Sequence, residues 1–284
     1  MQVGNGASPP PATLPLVDCR EFGAFCQGHI KGACSIPAAE LAQRMNELPK
    51  NSEPLAVCGD ADSLPQAYDF LASKGYQVAQ QIHWTSELST CLQAADLLET
   101  GAHSQRLWQP APLIARFVAE FMPTYGIVPG TGLDIGCGAG RDMVYLALHR
   151  WQMTGMDYIP GALQRAQQLA ASQQVNIVTL QRDLETGQDP FAEFAVGQFD
   201  LICVARYLHR PLFPWIKRIL KPGGILIYQT FMQGAEQFGS PRNPNFLLKP
   251  GELAGVFAGA EILLDAVEYL ADGRPVSAFI CRHR

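Results

Sequence analysis

The feature that most constrains the fold is a glycine-rich stretch between a short apolar run and an amphipathic one. GLDI, residues 132–135, has the composition of a strand, and GCGAG, residues 136–140, is a turn that glycines permit most readily. RDMVYLALHR, residues 141–150, predicts a helix that begins where the turn ends, and the next strand, MTGMDY, leads to Asp157. A glycine-rich turn, a helix N-terminus and an acid after the second strand are typical of the nucleotide-binding crevice of a doubly wound parallel sheet.

The spacing of these glycines distinguishes two kinds of crevice. Gly136, Gly138 and Gly140 follow Asp134, which departs from the G-x-G-x-x-G pattern of dinucleotide-binding turns. DIGCGAG instead resembles motif I of class I S-adenosylmethionine-dependent methyltransferases. S-adenosylmethionine has no pyrophosphate, and its methionine part needs a closely approaching backbone with a carboxylate near its cationic end.

The resemblance implies S-adenosylmethionine as the cofactor and gives each residue of its site a role. Asp134 supplies negative charge to the cationic end, directly or through water, and Asp157 accepts hydrogen bonds from both ribose hydroxyls. Asp183, in TLQRDLE after a third apolar strand, matches the acid that contacts adenine, with the backbone of Leu184 beside it. The predicted cofactor-binding residues are Asp134, Gly136, Gly138, Gly140, Asp157, Asp183 and Leu184.

The rest of the second half continues the same pattern. FDLICVA predicts a fourth strand, and RILKPGGILIYQT predicts a helix end, a Pro-Gly-Gly turn and a fifth strand. LLDAVEYLADGRPVSAFICRHR predicts two strands around an ADGRP turn, the antiparallel hairpin that ends the sheet of this fold. We therefore predict a Rossmann-like class I methyltransferase domain over residues 107–284.

The first half alternates short apolar strands with helical stretches. LPLVDC and EPLAVC predict strands, and AAELAQRMNEL and SLPQAYDFLASKG predict helices, which together indicate a small α/β unit with parallel strands. Residues 13–85 resemble a rhodanese-like domain through VDCRE, QGHIKGA, Ile36-Pro37 and a cysteine, Cys58, at a strand end. In that family the cysteine accepts a sulfane sulfur.

The loop after Cys58 argues against ordinary sulfurtransferase activity. Active members of the family place arginine or lysine and glycine in this loop, which suits an anionic sulfur donor. Here Asp60 and Asp62 would repel such a donor and raise the pKa of the thiol. We predict weak or absent persulfide chemistry, and the alternative for Cys58 is a small buried apolar residue that ends a strand.

A narrower resemblance bears on the methyl acceptor. RYLHRPLFPWIKRILKPGG and the segment after it, which together with LWQPAPLIARF cover most of residues 107–260, resemble the tellurite-resistance type of small-molecule methyltransferase. In this fold the residues after strands four and five face the reacting methyl group. The candidates are Arg206, Tyr207, His209 and Arg210 on one side and Thr230, Phe231, Phe238, Arg242 and Asn243 on the other.

These candidates suit a thiol, a sulfide or another chalcogen nucleophile. Arginines attract an anionic acceptor and lower the pKa of a thiol, and Tyr207 and Phe231 can wall the pocket with aromatic faces. His209 either orients the acceptor or packs at the start of a helix, and a salt bridge to an acid is the alternative for at least one of Arg206 and Arg210. The predicted catalytic residues are His209, Arg206, Tyr207 and Cys58.

Composition excludes several other classes of protein. The chain of 284 residues is 48% apolar and 17% charged and has no apolar run near the ~18 residues that span a membrane. Its eight cysteines are spread without a C-x-x-C pair, so we expect reduced thiols and no metal site.

The first 12 residues have no signal-peptide pattern and predict a flexible lead, and residues 86–106 predict a helical linker. We therefore expect a cytoplasmic location.

The distribution of charged residues along the chain indicates which kinds of partner to expect. Residues 1–100 carry five basic and eleven acidic residues, and residues 101–284 carry 16 and 15, so neither half presents a basic nucleic-acid surface. We expect a small-molecule substrate, no membrane and no nucleic acid. Two alternatives stay open: methylation of tRNA or another nucleic acid, and a rhodanese-like domain that is an inert docking module for a sulfur-carrier protein.

Overall fold

A computed structural model describes residues 14–284. The predicted flexible lead, residues 1–12, lies outside the described residues. The chain divides into two units, residues 14–109 and 110–284, and each is described by itself. No helix within residues 14–284 has both the length and the apolar character needed to cross a membrane.

The first unit is built on a four-stranded parallel sheet with the order β3-β1-β4-β5. Parallel strands need crossover connections, and here these are helices and tight turns on the two faces of the sheet. Its elements are β1 (Leu16–Asp18), α1 (Phe22–Gln27), β2 (His29–Ile30), β3 (Cys34–Ser35), β4 (Leu55–Gly59), α2 (Ser63–Ser73), β5 (Val78–His83), α3 (Ser86–Ala94) and β6 (Leu98–Glu99).

The helix predicted over residues 38–48 does not form. Two short 3₁₀ turns, Ala38–Glu40 and Met45–Glu47, take its place. The segment still buries Leu41 and Leu48 in the core, as the apolar spacing requires. Leu41 and Leu48 reach the core from two separate turns, so tertiary packing overrides the local periodicity.

Residues 86–106, predicted as a linker, lie within the first unit. α3 does form, but it buries Leu88 and Leu92 in the core of this unit. β6 pairs antiparallel with β2, His29 opposite Glu99, and Ser104 Oγ accepts a hydrogen bond from the backbone N–H of Ser35 at 2.8 Å. The helical periodicity therefore reflects packing rather than a solvated connector.

The second unit is a seven-stranded sheet with the order β12-β13-β11-β10-β7-β8-β9. β7 to β11 run parallel, and β13 pairs antiparallel with both β11 and β12. The elements are α4 (Pro112–Arg116), α5 (Met122–Tyr125), β7 (Thr131–Ile135), α6 (Arg141–Leu148), β8 (Gln152–Asp157), α7 (Pro160–Ser172), β9 (Val178–Gln181), β10 (Phe199–Ala205), α8 (Phe213–Ile219), β11 (Leu220–Gln229), α9 (Glu252–Val256), β12 (Glu261–Tyr269) and β13 (Pro275–Arg282).

This order confirms the predicted doubly wound fold and its terminal hairpin. The predicted Pro-Gly-Gly turn differs in detail, because β11 already begins at Leu220, opposite Phe199 of β10. The register shifts before Ile225, and Gly223 has a φ of 81°, so the glycines form a bulge inside the strand. The carboxyl ends of β7, β8, β9 and β10 meet at one edge of the sheet, where this fold binds its ligands.

Candidate active site

The glycine-rich turn connects β7 to α6 through three residues with left-handed backbone. Gly136, Gly138 and Gly140 have φ values of 73°, 53° and 79°. A Cβ on Gly140 would lie 2.6 Å from the Cβ of Ala166, so only glycine lets α6 begin this close to α7. A Cβ on Gly138 would meet no heavy atom within 4 Å, so the turn leaves open space there.

Asp157 ties this turn to the loop that follows β8. Its carboxylate accepts hydrogen bonds from the backbone N–H groups of Gly138 and Ile159, both at 2.9 Å. Each carboxylate oxygen can accept more than one hydrogen bond, so both remain available to a ligand. Asp157 thus holds the turn in place and faces the open space beside it.

A cavity of about 480 Å³ lies at this edge of the sheet. It brings together six of the predicted site residues: Gly136, Asp157, Asp183, Leu184, Arg206 and Tyr207. Residues not singled out from the sequence complete its wall, namely Tyr158, Ile159, Arg182, Glu185 and Ala205. These residues lie at the carboxyl end of β10 or directly after β8 or β9, and that position in the sequence could have identified them.

Cys58 is the penultimate residue of β4 in the first unit and is fully buried. Burial, followed by the nearby Asp18, raises the pKa of its thiol, and only Arg20 among the charged neighbours lowers it. Arg20 is itself committed: its guanidinium donates to both carboxylate oxygens of Asp18, at 3.0 and 2.6 Å, and stacks 3.6 Å from the centroid of Trp84. Within residues 14–284, the charged groups that act on this thiol therefore include no unpaired cation to stabilise a thiolate.

The loop after Cys58 directs its backbone N–H groups to its own acid. Asp60 Oδ1 accepts hydrogen bonds from the N–H groups of Asp62 and Ser63, at 3.2 and 2.9 Å, and from the Ser63 hydroxyl at 2.7 Å. These bonds lower the pKa of Asp60, so it is ionised at neutral pH. Donors that would otherwise face an anionic ligand are already engaged.

Comparison with known proteins gives the same division of the chain. Residues 133–224 match the methyltransferase domain family, and residues 6–83 match the rhodanese-like domain family. The chain joins a rhodanese-like domain to a class I methyltransferase domain. The methyltransferase domain depends on S-adenosylmethionine, as the glycine-rich motif implied.

Three relatives illustrate the extent of the similarity. An uncharacterized protein of Schizosaccharomyces pombe is 23% identical over 320 residues, which cover 95% of this chain and 93% of that protein. An uncharacterized methyltransferase of Synechocystis is 36% identical over 118 residues, 39% of this chain and 51% of that protein, so the chain spans about half of this curated relative. TehB from Haemophilus influenzae superposes with a TM-score of 0.49 at 20% identity, over 59% of this chain and 61% of TehB.

The residues around the turn fit S-adenosylmethionine. Asp134 is buried at the end of β7, and its Oδ2 has no hydrogen-bond partner among residues 14–284. Burial, followed by the charge of Asp142, raises the pKa of Asp134. A positively charged group of a ligand would offset both effects and stabilise the ionised carboxylate. When bound, S-adenosylmethionine supplies the methyl group of its sulfonium.

Asp142, in the first turn of α6, was not identified from the sequence. Its Oδ1 accepts a hydrogen bond from the N–H of Ala111 at 2.6 Å, which ties the segment before α4 to the first turn of α6. Desolvation raises its pKa, while the Ala111 bond and the charges of Arg141 and Arg206 lower it. Nothing in the local pattern distinguishes this acid from the many that begin helices.

The four polar candidates after β10 separate into different roles. Arg206 and Tyr207 line the cavity of the methyltransferase domain, whereas His209 is half-buried and does not line it. The guanidinium of Arg210 donates to both carboxylate oxygens of Glu252, at 2.6 and 3.0 Å, and to the carbonyls of Asn245 and Leu247. Arg210 is thus a structural clamp, the salt-bridged alternative that the sequence left open.

The candidates after β11 are also largely structural. Thr230 is buried, and Phe231 packs with Val276 beneath the guanidinium of Arg274, 4.6 Å from the ring centroid. The Asn243 side chain accepts a hydrogen bond from the N–H of Asn245 and caps a short turn. Phe238 and Arg242 are exposed, and none of the five lines the cavity.

Proposed function

We propose that this protein transfers a methyl group from S-adenosylmethionine to a small anionic nucleophile, a thiol, a sulfide or another chalcogen species. The observation that carries the proposal is the state of Arg206. Two arginines line the cavity, and Arg182 is paired with Glu193 at 2.8 Å. The side chain of Arg206 is exposed and makes no hydrogen bond or ion pair within residues 14–284, and its positive charge acts on Asp142.

Arg206 also occupies a backbone conformation that arginine disfavours. Its φ is 59°, and a left-handed conformation costs a non-glycine residue about 1–2 kcal/mol. Strain of this kind persists where the surrounding structure enforces it, and functional sites are where it concentrates. The positive charge of Arg206 at the cavity favours an acceptor that brings its own negative charge, and it partly offsets the carboxylates of Asp157, Asp183 and Glu185, which also line the cavity.

No histidine or lysine is among the residues that line the cavity, which narrows the class of acceptor further. Burial and then the charge of Glu185 raise the pKa of Tyr207, so its hydroxyl keeps its proton. His209, the candidate general base, does not line the cavity. A thiolate or selenide needs little help from a base near neutral pH, whereas a hydroxyl acceptor needs one. The resemblance to tellurite-resistance methyltransferases points to the same class of acceptor.

The test is transfer of labelled methyl from S-adenosylmethionine to a panel of sulfide, selenide, tellurite, small thiols and bulk tRNA. We expect label in one of the chalcogen acceptors. Arg206→Gln should lower that transfer at least tenfold and leave S-adenosylmethionine affinity nearly unchanged, and Arg165→Gln, an exposed arginine on α7, is the control. Label in tRNA alone would move the assignment to nucleic-acid methylation.

For the rhodanese-like domain we propose a binding function, with Cys58 carrying little or no persulfide. The hydrogen bonds from its loop to Asp60 support this, because they use the donors that an anionic sulfur source would need. The partner that this function implies is a sulfur-carrier protein. Thiosulfate:cyanide sulfurtransferase activity should be close to background, and brisk turnover that Cys58→Ser abolishes would refute the proposal.

A further inference from the structure

The ring of Tyr207 spans the cavity of the methyltransferase domain. At one end, its Cγ lies 3.1 Å from the position that a Cβ on Gly136 would occupy. At the other end, its hydroxyl donates a hydrogen bond to Oε1 of Glu185 at 3.2 Å. The ring thus bridges the glycine-rich turn after β7 and the loop after β9.

The backbone and the hydroxyl both favour this placement. The left-handed conformation of Arg206 reverses the chain immediately after β10, and Tyr207 is the next residue. The raised pKa of Tyr207 keeps the hydroxyl protonated, so it remains a donor across the physiological range. Gly136 leaves room for the ring, since a Cβ there would make a tight contact with Tyr207 and would need a small shift of the ring.

Glu185 has one side-chain partner. Its carboxylate makes no hydrogen bond or ion pair other than that with Tyr207 within residues 14–284, and its side chain is exposed. A tyrosine ring fixed only at its Cβ can change its χ1 rotamer, whereas a hydrogen bond at the far end selects one orientation. The hydrogen bond to Glu185 therefore acts on the orientation of the Tyr207 ring.

We infer that Glu185 is a positioning residue, which holds the Tyr207 ring as the wall of the S-adenosylmethionine site beside Gly136. The inference rests on the proposed use of this cavity for S-adenosylmethionine. A ring that is already oriented loses less conformational freedom when the ligand packs against it. Loss of the hydrogen bond should therefore lower the affinity for S-adenosylmethionine and shorten its residence time on the protein. The effect expected for one hydrogen bond is about 3- to 10-fold.

The experiment measures S-adenosylmethionine and S-adenosylhomocysteine binding by calorimetry, and dissociation rates by stopped flow, on the full chain. Glu185→Ala removes the acceptor, Glu185→Gln keeps an acceptor oxygen without the charge, and Tyr207→Phe keeps the ring without the donor. Glu261→Ala, on the edge strand β12, is the control. The melting temperature of each ligand-free variant reports folding separately.

We expect Glu185→Ala and Tyr207→Phe to weaken binding about 3- to 10-fold through faster dissociation, with the double variant no worse than either single one. Glu185→Gln should restore most of the affinity. If Glu185→Gln binds as weakly as Glu185→Ala while Tyr207→Phe binds normally, Glu185 contacts the ligand directly and the inference is wrong. Wild-type protein that binds neither ligand would instead overturn the proposed function, and this inference with it.

Discussion

The Cβ position of Gly140 lies 2.6 Å from the Cβ and 3.1 Å from the Cα of Ala166. Helices α6 and α7 therefore meet at the last residue of the glycine-rich turn, and the position of the turn depends on this contact. Ala166 is fully buried, so it has no room to move aside.

Gly140→Ala should lower the free energy of unfolding of the methyltransferase domain by about 2–4 kcal/mol, because it adds both a clash and left-handed strain. Gly187→Ala is a matched control, since Gly187 has a φ of 78° but nothing within 4 Å of its Cβ position. That control should lose only about 1 kcal/mol. Urea unfolding of the full chain measures both, and equal losses would contradict the importance of the Ala166 contact.

Asp157→Ala should weaken S-adenosylmethionine binding about 5- to 150-fold, equivalent to about 1–3 kcal/mol. The substitution removes the predicted acceptor of the ribose hydroxyls and the anchor of the Gly138 and Ile159 N–H groups. Calorimetry on the full chain measures the change, with Asp265→Ala, an exposed acid on β12, as the control. Unchanged affinity would remove Asp157 from the cofactor site.

Asp134→Asn should stabilise the ligand-free protein at neutral pH while weakening S-adenosylmethionine binding. The pKa of Asp134 is raised in the folded protein, so its carboxyl ionises first in the unfolded chain. The free energy of unfolding of the wild type therefore falls as the pH rises above the unfolded pKa of about 4. The difference between variant and wild type should be small near pH 4 and grow with pH toward about 1–3 kcal/mol. Urea unfolding at several pH values tests this, and a constant difference would show that Asp134 does not titrate as described.

Cys58 should resist alkylation in the native protein. Its thiol is fully buried and its pKa is raised, whereas Cys91 on α3 is exposed and has ordinary access to reagents. Iodoacetamide at pH 8 should label Cys91 first, and Cys58 only after the chain unfolds. Mass spectrometry of the labelled peptides distinguishes the two, and rapid native labelling of Cys58 would reopen the question of its reactivity.

Sequence patterns predicted the sheet of the methyltransferase domain well, because period and glycine placement are local. The strand GLDI, the turn, the helix and the terminal hairpin all lie where the pattern put them. The helix predicted over residues 38–48 failed where local periodicity met tertiary packing, since Leu41 and Leu48 reach the core from two separate turns. The roles of the predicted site residues stay predictions.

Side-chain direction could not be predicted in the same way. The chain reverses at Arg206 through a left-handed φ, and the local sequence contains no glycine that would predict this conformation. Arg210 finds its partner Glu252 42 residues away, and Asp60 takes the N–H groups of its own loop. Such contacts depend on where distant or flexible groups meet, which a single sequence does not encode in any local period.

The strain at Arg206 sets stability and activity in opposition at a single position. Glycine there would adopt the same φ without cost and would lack the guanidinium that the proposed acceptor needs. Selection for thermal tolerance alone would therefore favour glycine at position 206 and produce a more stable protein that, on the proposed role of Arg206, transfers methyl groups more slowly. Retention of arginine in variants evolved under both demands would identify catalysis, rather than folding, as the pressure that maintains it.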